Sequence, residues 1–312
     1  MKGTRIITEG AALLAIYAVL LLVSLYVPIL SLVATFALPL PFILFIIRYS
    51  LPSACMLFVV SLLVTLVVSS PISLVKTVMC GIIGFTLGYM YKKKRQPVEI
   101  LIIGTLSYLV CFLFIYIGSI KFLQLDLMKQ MQDMFKEGIE QSEKIIKAAG
   151  VPVSQEQKAE LEQLMGLLRN LLPSILVMVA LIYSWLTVLI AGNVLRKLRY
   201  PIVKWPEFRN MQLPKSIIWY YVLLIICSAF IKAEPSSYFD ISFSNVYFIF
   251  SILLLFQGFG FIAFLAHAKG YSKAIPIVGF VICMFVPQLF SLVTILGIID
   301  LGFPFRSRIK SK

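Results

Sequence analysis

Residues 9–20 read "EGAALLAIYAVL", and from Gly10 to Val27 the chain carries no Asp, Glu, Lys or Arg. A bilayer core of about 30 Å takes roughly 20 apolar residues per helix, so the run 8–27 has the length of one crossing. Within it Ala11, Ala15 and Ala18 are spaced four and then three apart, which places them on one helical face. Such a face lets a second backbone approach closely, the way helices associate where lipid supplies no hydrophobic drive. The approaching helix is either one of this chain's own or one from another protein.

Comparable apolar runs follow at 34–48, 51–69, 72–91, 98–118, 173–194, 216–232 and 245–266. With 60% hydrophobic and 13% charged residues and a mean hydropathy of +0.97, the chain lies far from soluble domains, in which about 25% of residues are charged. The expected class is an all-α polytopic membrane protein with about eight to ten membrane segments. The short alternating segments of a transmembrane barrel are absent from the sequence. "ATFA" has the small residues of a signal-cleavage site but sits inside apolar sequence that continues to Ile47, so the N-terminus is expected to stay as an anchor. The last run, 274–301, contains Pro276, Pro287 and Gly297 and reads as one kinked span or as two short segments folding back.

Lys and Arg concentrate in "MKGTR", "YKKKRQ", "RKLRYPIVKWPEFR" and "HAKGYSK". Eight spans with a cytoplasmic N-terminus put all four inside, as the positive-inside rule requires of a protein in the cell membrane. The tail "RSRIKSK" joins them when 274–301 re-enters or crosses twice. Residues 119–172 carry 8 of the 14 acidic and 7 of the 28 basic residues, a net charge of −1 against +15 for the rest. They read as an external insertion. Met128, Met131, Phe135, Ile139 and Ile146 share one helical face, Leu161, Leu164, Met165 and Leu168 another, and Ser154 with Gln157 makes a capping box between them. The expected organisation is a six-helix membrane bundle from 1–118 and 173–197, an external helical hairpin at 119–172, a basic cytoplasmic loop at 198–215, and C-terminal membrane helices with a basic tail at 216–312.

Residues able to carry enzymatic chemistry are scarce. The five cysteines lie singly in apolar runs without metal-ligand or disulfide spacing. The one histidine, His267, sits beside Lys269 in a basic loop with no protease, hydrolase or nucleotide-binding motif around it. No enzymatic activity, cofactor, metal or nucleic-acid partner is expected; membrane lipids are. Lys76 stands out, because an ionisable group within an apolar run needs an internal partner, an aqueous cavity or a route for its stem to the interface. Tyr116, Tyr183, Trp185 and Gln257, together with Ser184, Asn245 and Tyr247, are the polar residues able to line a ligand cavity with it; each alone also reads as an interhelical hydrogen bond or interface anchor. At the far end, "GIIDLGFPFR" brings Gly297, Asp300 and Arg306 to the edge of the last run, where an ion pair closing the terminus is the plainer reading than a functional site.

"EGAALLAIYAVL", the double-proline "LPLPF", "GFTLGYMYKKKR" and "GIIDLGFPFR" together resemble the YybS family of bacterial multispanning membrane proteins, whose function is unknown. The first spans are also similar to the substrate-binding S component of energy-coupling-factor transporters. That resemblance implies six helices with both ends inside, a ligand entering from outside, and an AxxxA face on the first helix, here Ala11 and Ala15 extended by Ala18, that docks on a transmembrane coupling protein with ATPase subunits. The external insertion at 119–172 and the added portion 216–312 depart from that pattern, so no substrate is carried over. Binding or transport of a small solute or lipid-like ligand with a separate partner is the expected function. A structural or regulatory scaffold for another membrane protein is the alternative, distinguished by a bundle centre filled with Leu, Ile and Phe.

Overall fold

The computed structural model describes residues 2–125, 127–148, 155–230, 237–272 and 274–309. Among them every regular element is a helix, and seven helical stretches are long and apolar enough to cross a bilayer: Thr4–Tyr26, Pro28–Arg48, Leu51–Val68, Ser73–Lys92, Pro97–Lys121, Gly166–Lys197 and Tyr238–Ala268. The apolar helices Ser216–Ser228, Ile275–Phe285 and Gln288–Gly302 are shorter. The chain divides into two compact units, one from Met1–Val153 with Leu176–Lys204 and the other from Ser154–Ile175 with Trp205–Lys312.

The first unit is built on α1 (Lys2–Tyr26), α2 (Pro28–Ala37), α3 (Leu40–Arg48), α4 (Leu51–Val68), α5 (Ser73–Lys92) and α6 (Pro97–Leu123), followed by α7 (Leu127–Ala148). The second apolar run begins earlier than its hydropathy suggests, at Pro28, because Pro preorganises the first turn of a helix. "LPLPF" then interrupts it between Ala37 and Leu40, since neither Pro39 nor Pro41 has an N–H to give the ladder. The short α3 lies against α5 because Gly84 and Gly88 leave room: a β-carbon on Gly84 would meet Phe42 Cβ at 2.4 Å, and one on Gly88 would meet Ile43 Cα at 3.1 Å. Leu13, Tyr17 and Leu21 of α1 pack with Leu38, Phe42, Phe45, Ile46, Ala54, Leu57 and Cys80 in one buried cluster. Most of this cluster is large apolar side chains.

The second half of the expected hairpin and the sixth span are one helix, α8 (Gln155–Lys197), which runs through Pro173. A side chain on α10 (Tyr238–Ala268) carries it past the proline. Asn245 Oδ1 accepts from the Ser174 N–H at 2.8 Å and its Nδ2 donates to the Asn170 carbonyl at 2.6 Å, the two groups that a regular helix pairs with each other. Ser174 Oγ donates to the Asn245 carbonyl at 2.9 Å, and both residues are buried. Ser154 of the expected capping box lies outside the described residues, as do the side chains of Met128, Met131, Phe135, Ile146, Leu161, Leu164 and Met165 on the two expected hairpin faces.

In the second unit the last apolar run forms two helices, α11 (Ile275–Phe285) and α12 (Gln288–Gly302), broken at Val286–Pro287. Eleven and fifteen residues are each shorter than a full crossing. With α9 (Ser216–Phe230) and the short α13 (Phe305–Arg308) they pack around α10. The α10–α12 crossing is a backbone-to-backbone approach: a β-carbon on Gly258 would lie 2.0 Å from the Val293 carbonyl oxygen, and one on Gly297 would lie 2.0 Å from that of Leu254. Gly297 is thus a packing residue. Gly297→Ala is expected to destabilise the unit by about 1–3 kcal/mol or more, since neither carbonyl-bearing backbone has room to give, whereas Gly279→Ala, where nothing lies within 4 Å, is tolerated. Thermal exposure of the buried Cys283 to a thiol-reactive dye, with the exposed Cys55 as the reactive baseline, measures the difference.

Candidate functional site

Lys76, on α5, is half-buried, and its ammonium donates to Ser24 Oγ at 3.0 Å and Thr35 Oγ1 at 3.1 Å. Its contacts among the described residues include no carboxylate. One residue on, Thr77 Oγ1 lies 2.8 Å from both the Tyr17 hydroxyl and Thr65 Oγ1, so three helices share a buried row of hydroxyls. Phe36, next to Thr35, meets the Tyr183 ring edge-on at 4.9 Å, and Tyr183 also packs on Tyr108 and Phe112. Tyr108 in turn hydrogen-bonds Thr187 at 2.7 Å, and Ser184 Oγ donates to the Leu101 carbonyl at 3.0 Å.

The remaining candidates separate from Lys76. Tyr116 is half-buried one turn before Ser119, whose hydroxyl donates to its carbonyl at 2.8 Å. Trp185 is 48% exposed and faces out of the first unit. Gln257, Asn245 and Tyr247 belong to the second unit and have partners there: Asn245 bridges the Pro173 turn, and Tyr247 stacks on Tyr221 and accepts its hydroxyl at 3.2 Å. Lys76 and Tyr183 are the two of the expected ligand set whose surroundings join.

Ala11 and Ala15 are exposed and Ala18 is half-buried, while Leu13, Tyr17 and Leu21 on the other side of α1 fill the core. The exposed Thr8 and Ala12 extend the small-residue face, and Ile7, Ile16 and Val19 project beside it. At the end of α1 that holds the N-terminus, an acidic group missed by the sequence reading organises the bundle. Glu9 takes Arg5 at 2.9 Å and Arg48 at 2.8 Å, and Arg48 Nε donates to the Tyr200 hydroxyl. Lys92 Nζ donates to the carbonyls of Ile46 at 3.0 Å and Tyr49 at 2.5 Å, which meets the acceptors left over where α3 ends. Arg5, Glu9, Arg48, Tyr49 and Tyr200, with Ile6, border a cavity of about 570 Å³.

The C-terminal motif forms a closed polar network. Arg306 Nε donates to Asp300 Oδ1 at 2.8 Å and its terminal nitrogen to Oδ2 at 2.6 Å, with Asp300 fully buried and Arg306 11% exposed. The other guanidinium nitrogen donates to the Arg209 carbonyl at 2.6 Å, and the guanidinium lies 5.3 Å over the Phe264 ring. Gln257 Nε2 donates to Asp300 Oδ2, and Gln257 Oε1 accepts from the Leu213 N–H at 2.9 Å. The loop from Phe208 to Leu213 is thereby tied to α10 through Gln257 and to α13 through Arg306, with the Phe208 ring edge-on to Phe256 at 5.0 Å. Between that loop, α10 and α11 lies a largely apolar groove of about 690 Å³. The motif fixes the loop that edges the groove, a role that its own residues do not announce.

Seven apolar helices of membrane-crossing length, in a structure whose described residues form no strand, define an all-α polytopic membrane protein. Residues 15–301 match the family described as "Predicted membrane protein (DUF2232)", and the chain belongs to that family. It is 32% identical over 311 residues, 99% of this chain and 100% of the relative, to "Uncharacterized protein YybS" of Bacillus subtilis (strain 168). No solved structure matches.

Removing Asp300 leaves Arg306 buried without its carboxylate, a change that typically costs about 3–5 kcal/mol. Asp300→Ala is therefore expected to free the Phe208–Leu213 loop, read as trypsin cleavage after Arg209 at protease levels that spare the wild type. Arg306→Lys is not expected to restore protection, because an ammonium cannot span both carboxylate oxygens and the Arg209 carbonyl.

Proposed function

We propose that this protein is a non-enzymatic adaptor of the cell membrane, with its N-terminus cytoplasmic, that docks a second membrane protein through α1. The observation that carries this reading is the outward turn of Ala11 and Ala15, with Thr8 and Ala12, on a helix whose large residues Leu13, Tyr17 and Leu21 are spent on its own core. A small-residue face turned to lipid is a shallow channel into which another helix backbone fits closely. The apolar cluster of α1–α5 supports an adaptor over a carrier. The basic loops support the orientation, and the S-component resemblance supplies the partner class, a transmembrane coupling protein with ATPase subunits.

The test is co-expression of the full chain with the coupling protein and ATPases of its own cell. The coupling protein is expected to copurify with wild type and with Val110→Leu on α6. Ala15→Leu is expected to reduce it about tenfold, as loss of one to two kcal/mol of close helix packing does. Equal recovery with Ala15→Leu, or none with wild type, overturns the reading.

A second reading, ligand binding in the first unit, rests on the Lys76 ammonium, which has two hydroxyl partners and donor capacity for a third. It predicts an anionic small molecule that copurifies with wild type and with Arg95→Gln but not with Lys76→Gln, measured by mass spectrometry of the gently solubilised protein.

A further inference from the structure

We infer that the groove of the second unit holds an acyl chain of an anionic membrane phospholipid, with the headgroup at a rim formed by Arg209 and His267. The floor is α10, which presents Leu255, Phe256, Phe259 and Ala263, and the far wall is α11, which presents Ile277 and Phe280. At about 690 Å³ the groove falls within the roughly 300–1,000 Å³ typical of small-molecule sites. Its lining is hydrocarbon-like and its edge residues Phe256, Ile277 and Phe280 remain exposed, so in a bilayer the groove opens to lipid rather than to water.

Charge selects the headgroup. Arg209 and His267 line the same groove, with the exposed Lys269 two residues beyond His267, and the one acid in the lining is Glu207. Glu207 engages a terminal nitrogen of Arg209 and is itself largely exposed, so the guanidinium, with five N–H donors, retains donors for a phosphodiester oxygen. The rim is preorganised. Arg306 holds the Arg209 carbonyl and Gln257 holds Leu213, so the backbone that carries the cation is fixed by the buried Asp300 network before any lipid arrives. This gives the closing "GIIDLGFPFR" segment a binding purpose: it positions the residue that reads the headgroup. Arg306 and Asp300 are positioning residues, and Arg209 is the contact.

The experiment uses the full chain in phosphatidylcholine nanodiscs doped with phosphatidylglycerol or phosphatidylcholine bearing a photoreactive group on one acyl chain, with the adducts mapped by mass spectrometry. Phosphatidylglycerol is expected to label residues 255–280 about fivefold more than phosphatidylcholine, the ratio expected for one basic group acting near a membrane surface. Arg209→Gln is expected to remove that preference while phosphatidylcholine labelling stays as in wild type, and Arg209→Lys to restore most of it. Ala263→Trp, which fills the groove and leaves the rim intact, is expected to abolish labelling by both lipids there. Equal labelling by the two lipids in wild type overturns the inference and marks ordinary surrounding lipid. An undiminished preference in Arg209→Gln, or adducts confined to other helices, overturns it as well.

Discussion

A break in an apolar helix leaves peptide groups that no water reaches, and each such group unsatisfied in hydrocarbon costs several kcal/mol. This chain has breaks in its helices at Pro39 and Pro287 and a proline inside a helix at Pro173, and at Pro173 a side chain from another helix meets the freed polar groups. Asn245 offers both halves of its amide to Asn170 and Ser174 beside Pro173. Lys92 closes the end of α3, the helix shortened by the Pro39 interruption, by donating to Ile46 and Tyr49. At Pro173 a polar side chain from another helix is the counterpart that makes the proline tenable inside a continuous helix.

The same logic shapes the C-terminal motif. Asp300 and Arg306 are six residues apart and form a bidentate pair, an arrangement that is costly to desolvate and holds only when the remaining donors and acceptors are also used. Gln257, the Arg209 carbonyl and the Leu213 N–H use them. Close approach at Gly258 and Gly297 makes that geometry reachable, because α12 sits near enough to α10 for a short carboxylate to meet Gln257. A weak stability device thus becomes a strong positioning device, and what it positions is a loop edging an apolar groove.

The two surfaces proposed to meet neighbours differ in kind. The α1 face is smooth and small, suited to another helix. The α10–α11 groove is largely apolar, with Arg209 and His267 at its edge, suited to a charged amphiphile. The buried hydroxyls of Tyr17, Thr65 and Thr77 satisfy one another.

Hydropathy alone determined that this chain is a bundle of apolar helices, where most of them lie, and that the run after Ala274 does not make one simple span, because those properties depend on local composition, helix length and proline. Spacing along α1 also marked Ala11 and Ala15 as one face. What tertiary structure decided is which way that face turns, since a helix apolar on all sides gives no periodic signal to separate lipid from core. It also decided the pairings of Glu9 with Arg48, Lys76 with Ser24 and Thr35, and Asn245 with Ser174, which join residues 39, 52, 41 and 71 positions apart. Lys76 and Gln257 look alike in sequence, as polar residues inside apolar runs. Only the packing separates a cation held by two hydroxyls from an amide locked between a carboxylate and a loop, because hydrogen-bond partners are chosen by which helices touch and not by which residues are adjacent.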